Sequence, residues 1–129
     1  TLAEQPVLDV EFPLCAARGV GVIIGGVFAS GILATGPVPG ARYNYQIANA
    51  EQLERIGRMK AVCERHGVPL AAAALQFTLH HPLVASVIPG AFHPDHPRRN
   101  VESMRVEIPA DLWAELKHDG LLQMDAPTP

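Results

Sequence analysis

Val20-Gly21-Val22-Ile23-Ile24 runs directly into Gly25-Gly26-Val27-Phe28-Ala29-Ser30-Gly31, and later Val84-Ala85-Ser86-Val87-Ile88 runs into Pro89-Gly90-Ala91. Each is a short apolar run, rich in β-branched residues, followed by a glycine-bearing loop. Neither run alternates with polar residues, which fits strands covered on both faces, as in a parallel sheet. Helical sequence separates them. The order strand, loop, helix, strand, loop, helix is that of a parallel α/β protein. In such folds ligands collect at the loops after the carboxyl ends of the strands.

The intervening periodicity places the helices. Leu8, Phe12 and Cys15 fall on one face of a helix expected over Val7–Arg18, with Pro6 near its start, Gly19 at its exit and Pro13 as an interruption. Gly25 to Ala41 is too rich in Gly and Pro for regular structure and is expected to be a long loop. Glu51 to His66 reads as a helix whose buried stripe is Leu53, Ile56, Met59 and Cys63, ended by Gly67. Pro69 opens another, with Leu70, Ala73, Ala74 and Phe77 inward, terminated by His80-His81-Pro82. Arg98 to Met104 can form a helix. Pro109 opens the last, with Leu112, Trp113 and Leu116 inward and Gly120 at its close. Asp125 to Pro129 is expected to be a disordered tail.

With 129 residues the chain suits a single domain, and 48% apolar residues suffice for a packed core. The formal net charge of -3 and the lack of a basic cluster argue against nucleic acid as a partner, since Arg98-Arg99 with Arg105 is too small a patch. No stretch approaches the roughly 18 apolar residues of a membrane span, and nothing resembles a signal peptide. Cys15 and Cys63 form no C-x-x-C and read as reduced core cysteines, from which a cytoplasmic setting follows. The first residue is Thr1, which suggests a processed product or a piece of something longer.

Two parallel strands make one βαβ unit with two open edges. Such a sheet is marginal without more strands beside it. About five helices and two buried strands therefore look like part of a larger sheet or barrel, or like a chain that completes itself with another.

The first loop can cradle an anion, because glycines after a strand let backbone N–H groups approach it and Ser30 adds a hydroxyl donor. A tight structural turn accounts for the same residues. The P-loop pattern fails, because Gly26 to Gly31 is followed by Ile32 and no lysine. The Rossmann fingerprint fails too, because Ile24 occupies its third glycine position. The second loop runs into a helix N-terminus, where free N–H groups favour anions and Arg98, Arg99 and Asn100 are in reach. His93, Asp95 and His96 lack further ligands, and no metal site is expected. His80 and His81 read as a solvated helix end, and His66 and His118 as helix C-terminal residues.

The run Gly19 to Gly36, the run Ser86-Val-Ile-Pro-Gly-Ala with Asn100 behind it, and Ile108-Pro-Ala-Asp-Leu-Trp-Ala-Glu-Leu-Lys together resemble the aldo-keto reductases over nearly the whole chain. Within that family the resemblance is to the branch of sugar and pyridoxal dehydrogenases, through Gly25-Gly26, Ser30-Gly31-Ile32-Leu33 and Tyr43-Asn44-Tyr45. The implied fold is the C-terminal part of a (β/α)8 TIM barrel, its last two strands with their helices. The resemblance places Gly26, Phe28, Ala29 and Ser30 around a nicotinamide cofactor's pyrophosphate, and Gly25 and Arg99 are counted with the cofactor-binding residues. It places Gly90, Phe92 and His96 near the adenosine ribose or its 2′-phosphate, and Asn100 at the adenine.

Three departures bear on the cofactor. Gly90 stands where many members carry a lysine, Phe92-His93 replaces Arg or Ser/Thr types, and Arg99 replaces a frequent glutamate. The missing lysine tilts the balance toward NAD, while Arg98 and Arg99 can restore NADP. The family's catalytic Asp, Tyr, Lys and His come from earlier strands, and none lies here. Tyr43 and Tyr45 are in another loop, without an adjacent lysine. The implied role is therefore a cofactor-binding segment of an enzyme acting on an aldehyde or sugar, inactive alone. Two other readings stay open: a non-enzymatic half-barrel that oligomerises or docks on a partner, and an unrelated small α/β binding module.

Overall fold

The computed structural model describes residues 1–129. A 3-10 turn at Pro6–Leu8 leads into α1 (Glu11–Ala17), then β1 (Val22–Gly25), a 3-10 turn at Ala29–Gly31 and α2 (Ile32–Thr35). A small hairpin of β2 (Arg42–Tyr43) and β3 (Gln46–Ile47) follows. Then come α3 (Ala50–Arg65), α4 (Leu70–His80), β4 (Val84–Ile88), α5 (Asp95–Ser103) and α6 (Ala110–His118).

The two apolar runs pair as the sequence leads one to expect. β1 and β4 are parallel neighbours, with Ile23 opposite Ser86, Ile24 opposite Val87 and Gly25 opposite Ile88. Because they are parallel, their carboxyl ends leave the sheet at the same edge, and both glycine loops start side by side. The strands are not covered on both faces. Ile24 turns toward Phe12, Phe77 and His81, but Ile23 and Ile88 on the opposite face are 61% and 63% exposed. Parallel strands need helices on one side and further sheet or barrel contents on the other, and this chain carries only the helices.

The core therefore lies among helices. Ile56, Met59, Val62 and Cys63 of α3 pack with Leu70, Ala73, Ala74 and Phe77 of α4 and with Leu112, Trp113 and Leu116 of α6. Asn49 starts α3 with a capping box. Its Oδ1 accepts the Gln52 N–H at 2.9 Å, and Gln52 Oε1 accepts the Asn49 N–H at 3.0 Å. At the other end Gly67, at φ +68°, lets Val68 N–H reach the Cys63 carbonyl at 2.9 Å and its own N–H reach Glu64 at 3.0 Å. This is the left-handed exit that glycine adopts without strain.

Several boundaries differ from those expected. Val7–Arg18 is not one helix: a 3-10 turn and α1 are separated at Asp9-Val10, and Pro13 stands in the first turn of α1, where no backbone donor is lost. The strand expected to begin at Val20 begins at Val22. The Gly/Pro-rich stretch is not structureless, since the 3-10 turn and α2 form inside it; Gly36 N–H closes α2 on the Ile32 carbonyl at 2.8 Å. α5 starts at Asp95, three residues earlier than Arg98. In the tail, Ala126 is 1% exposed and belongs to the core.

Candidate cofactor site

The edge where β1 and β4 end opens into a cleft with two lobes. One, of about 420 Å³, is lined by Gly26, Ser30, Tyr45 and Ile88. The other, of about 260 Å³, is lined by Thr35, His96, Arg99 and Asn100. Phe28, Gly31, Gly90 and Phe92 border both, so the lobes form one continuous trough.

The floor has an unusual backbone. Ala29, Ser30 and Gly31 follow one another at φ +47°, +62° and +100°. Three consecutive left-handed residues are disfavoured for any residue but glycine, and such strain gathers at functional sites. Only Gly31 is free of that penalty, and a Cβ there would meet nothing within 4 Å. Gly26 and Gly90 have the same open space above the Cα, so a ligand can approach the backbone directly. The Ser30 hydroxyl accepts the Tyr45 N–H at 2.8 Å. Its own proton is left to donate elsewhere.

At the far end α5 supplies the polar groups. Arg98 is engaged with Asp95 at 3.2 Å. Arg99 forms no ion pair, and the Asn100 amide makes no hydrogen bond within the chain, so both are available to a ligand. The His96 ring meets Phe92 edge-on, with centroids 4.5 Å apart, and His93 at 5.8 Å. Phe92 is 95% exposed, an apolar surface this chain leaves uncovered. α5 buries none of its residues. It is held by Gln76 of α4, whose Nε2 donates to the Ser103 carbonyl at 2.9 Å and the Val106 carbonyl at 2.8 Å.

The trough gathers Gly26, Phe28, Ser30, Gly90, Phe92, His96, Arg99 and Asn100. Gly25 stands apart, within β1 opposite Ile88, and Ala29 is buried in the core at 5% exposure. Sequence reasoning missed Gln76 and the part of Tyr45. Gln76 is a lone glutamine in an apolar helix, a visible oddity. Tyr45 follows Asn44, and an Asn-containing pair between two short runs is a hairpin signal. His93 Nδ1 lies 3.6 Å from Asp95 Oδ2, and no group of three or more His, Cys, Asp or Glu side chains comes together to hold a metal ion. No helix is long and apolar enough to cross a membrane.

Two parallel strands with helices on one side and glycine loops at their carboxyl ends fit the C-terminal part of a (β/α)8 barrel. Solved barrels bear this out. The aldo-keto reductase AKR11C1 from Bacillus halodurans superimposes with a TM-score of 0.67 in its holo form, over 99% of this chain and 41% of that one, at 24% identity. Its apo form gives 0.66, over 99% and 42%, at 26% identity. The family model of the aldo/keto reductase family matches residues 9–118, and the chain belongs to that family. Among curated proteins it is 42% identical to a D-threo-aldose 1-dehydrogenase of Pseudomonas sp, over 100% of this chain and 38% of that protein. It is 40% identical to a pyridoxal 4-dehydrogenase of Microbacterium luteolum, over 95% and 36%. The chain thus spans under two fifths of the length of these relatives.

Proposed function

We propose that this chain supplies the cofactor-binding loops of an NAD(P)-dependent oxidoreductase acting on an aldehyde or an aldose. The observation that carries the proposal is the continuous trough at the carboxyl edge of β1 and β4, floored by the left-handed run Ala29-Ser30-Gly31. The donor set fits a nicotinamide dinucleotide: open backbone at Gly26, Gly31 and Gly90, the Ser30 hydroxyl for a pyrophosphate, and the Asn100 amide for a base edge. Bound there, the dinucleotide supplies hydride exchange with a carbonyl or anomeric carbon. The chain's own residues bind and orient it. General acid–base chemistry comes from Asp, Tyr, Lys and His residues outside these 129. The free thiols of Cys15 and Cys63 favour a cytoplasmic setting for it.

NAD is favoured over NADP, because Gly90 offers no charge to a 2′-phosphate and Arg98 is engaged by Asp95, which leaves Arg99 as the single guanidinium in the second lobe to attract one. Calorimetric titration of the chain with NADH and NADPH tests the reading. Weak binding of NADH, weaker binding of NADPH and no turnover are expected. Turnover by these 129 residues alone, or no binding of either, overturns it.

The exposed Ile23 and Ile88 favour a second statement about partners. This face takes the remaining part of a barrel, or, in its absence, another copy of the chain. Stability that rises with protein concentration is then expected for the isolated chain, and a stable monomer argues against it.

A further inference from the structure

The turn between β2 and β3 places Asn44 at φ +46° and Tyr45 at φ +66°. Two central residues in the left-handed region define the hairpin turn that prefers Asn-Gly. Asn44 meets that preference. Tyr45 does not: a bulky aromatic occupies the position where glycine is strain-free. Nothing in the turn itself requires the ring. It is 81% exposed, so it stabilises no core.

The backbone that carries the ring is nevertheless held firmly. Its N–H donates to Ser30 Oγ at 2.8 Å, and its carbonyl accepts from Arg42 Nη1 at 2.9 Å. The first bond crosses from the hairpin to the floor of the trough. Tyr45 thereby lines the lobe that contains Gly26, Ser30 and Ile88, and is absent from the lobe that contains Arg99 and Asn100. A side chain with two rotatable bonds on a fixed backbone is ordered by a ligand at little entropic cost.

We infer that Tyr45 is a cofactor-contacting residue. Its ring closes over the half of the dinucleotide that lies in the lobe beside the sheet, the half away from the adenine. The inference rests on the trough being the dinucleotide site. It assigns the strained tyrosine a purpose that neither the hairpin nor the core provides.

The test titrates the chain, and its Tyr45→Gly and Tyr45→Phe variants, with NADH and with AMP. Glycine suits φ +66°, so Tyr45→Gly keeps the turn. NADH affinity is expected to fall about tenfold in Tyr45→Gly, the scale of one aromatic contact, and to stay within twofold in Tyr45→Phe. AMP, which fills only the lobe of Asn100, is expected to bind all three alike. Unchanged NADH affinity in Tyr45→Gly overturns the inference, as does an equal loss for AMP, which would mark a structural effect. If the unaltered chain binds neither NADH nor AMP, the reading of the trough as a dinucleotide site fails first, and the inference with it.

Discussion

Arg55 of α3 donates from Nη2 to the Leu121 carbonyl at 2.7 Å, just past the end of α6. The same guanidinium reaches the Gly120 carbonyl at 3.3 Å and the Ala3 carbonyl at 3.2 Å. One side chain thus fastens the start of the chain, its longest helix and the turn after its last helix. These carbonyls end segments that have no strand partner to hold them.

Arg55→Ala is expected to cost about 2 kcal/mol, the scale of hydrogen bonds made by a charged donor. Arg55→Lys is expected to recover little, because an ammonium lacks the planar fork that spans three carbonyls. Urea unfolding of the three proteins measures both.

Tyr43 shapes the alkaline limit of stability. Burial, and second the Glu4 carboxylate, push its hydroxyl from 10.0 up to about 12. Between those values the unfolded chain sheds a proton that the folded chain keeps. The contribution is whole below pH 10 and is lost as the pH rises toward 12. Cys63, pushed by burial from 9.0 to about 11, acts in the same sense from pH 9 upward. Tyr43→Phe is expected to flatten the fall in Tm between pH 10 and 12, as thermal melts across that range would record.

The acid limb involves Glu115 of α6. Its carboxylate accepts from Arg65 Nε at 2.9 Å and from Arg65 Nη2, and pairs with His66 Nε2 at 2.6 Å. Arg65 first, then His66, hold it below its ordinary value of 4.5. A depressed carboxylate stabilises fully above 4.5, and that stability is lost as the pH falls through the lowered value. Chemical denaturation at pH 3 and pH 6 is expected to show a smaller difference for Glu115→Gln than for the unaltered chain.

Gln76 ties α5 to α4 without itself lining the trough, and reaches it only through its hydrogen bond to Ser103. Removing both of its bonds in Gln76→Ala frees the end of a helix that buries nothing of its own. Affinity for AMP is expected to fall severalfold, with faster amide hydrogen exchange confined to α5. Exchange unchanged in α5 would contradict this role.

The pairing of the two glycine loops was legible in the sequence, because two apolar runs of one direction separated by helices admit little else. So was the helical core, since Ile56, Met59 and Cys63, and Leu112, Trp113 and Leu116, follow the 3.6-residue period closely. The hairpin at Tyr43–Tyr45 was not. Its strands are two residues each, too short for any alternation. The 3-10 turn and α2 hid among glycines and prolines, whose composition signals a loop whatever the local hydrogen bonds. The contents of the trough were named in large part from the resemblance, through Ser30, Phe92, His96 and Asn100.

The amino-acid sequence alone determined the order of the two parallel strands and the longer helices, and the helical core. Those properties follow from local periodicity and from where glycine and proline interrupt it. Only the tertiary structure decided that Ile23 and Ile88 face outward, that Gln76 holds α5, and that Tyr45 leans on Ser30. Each depends on what lies across space from a residue. A period of two or of 3.6 tells which side a residue takes, but not whether anything covers that side.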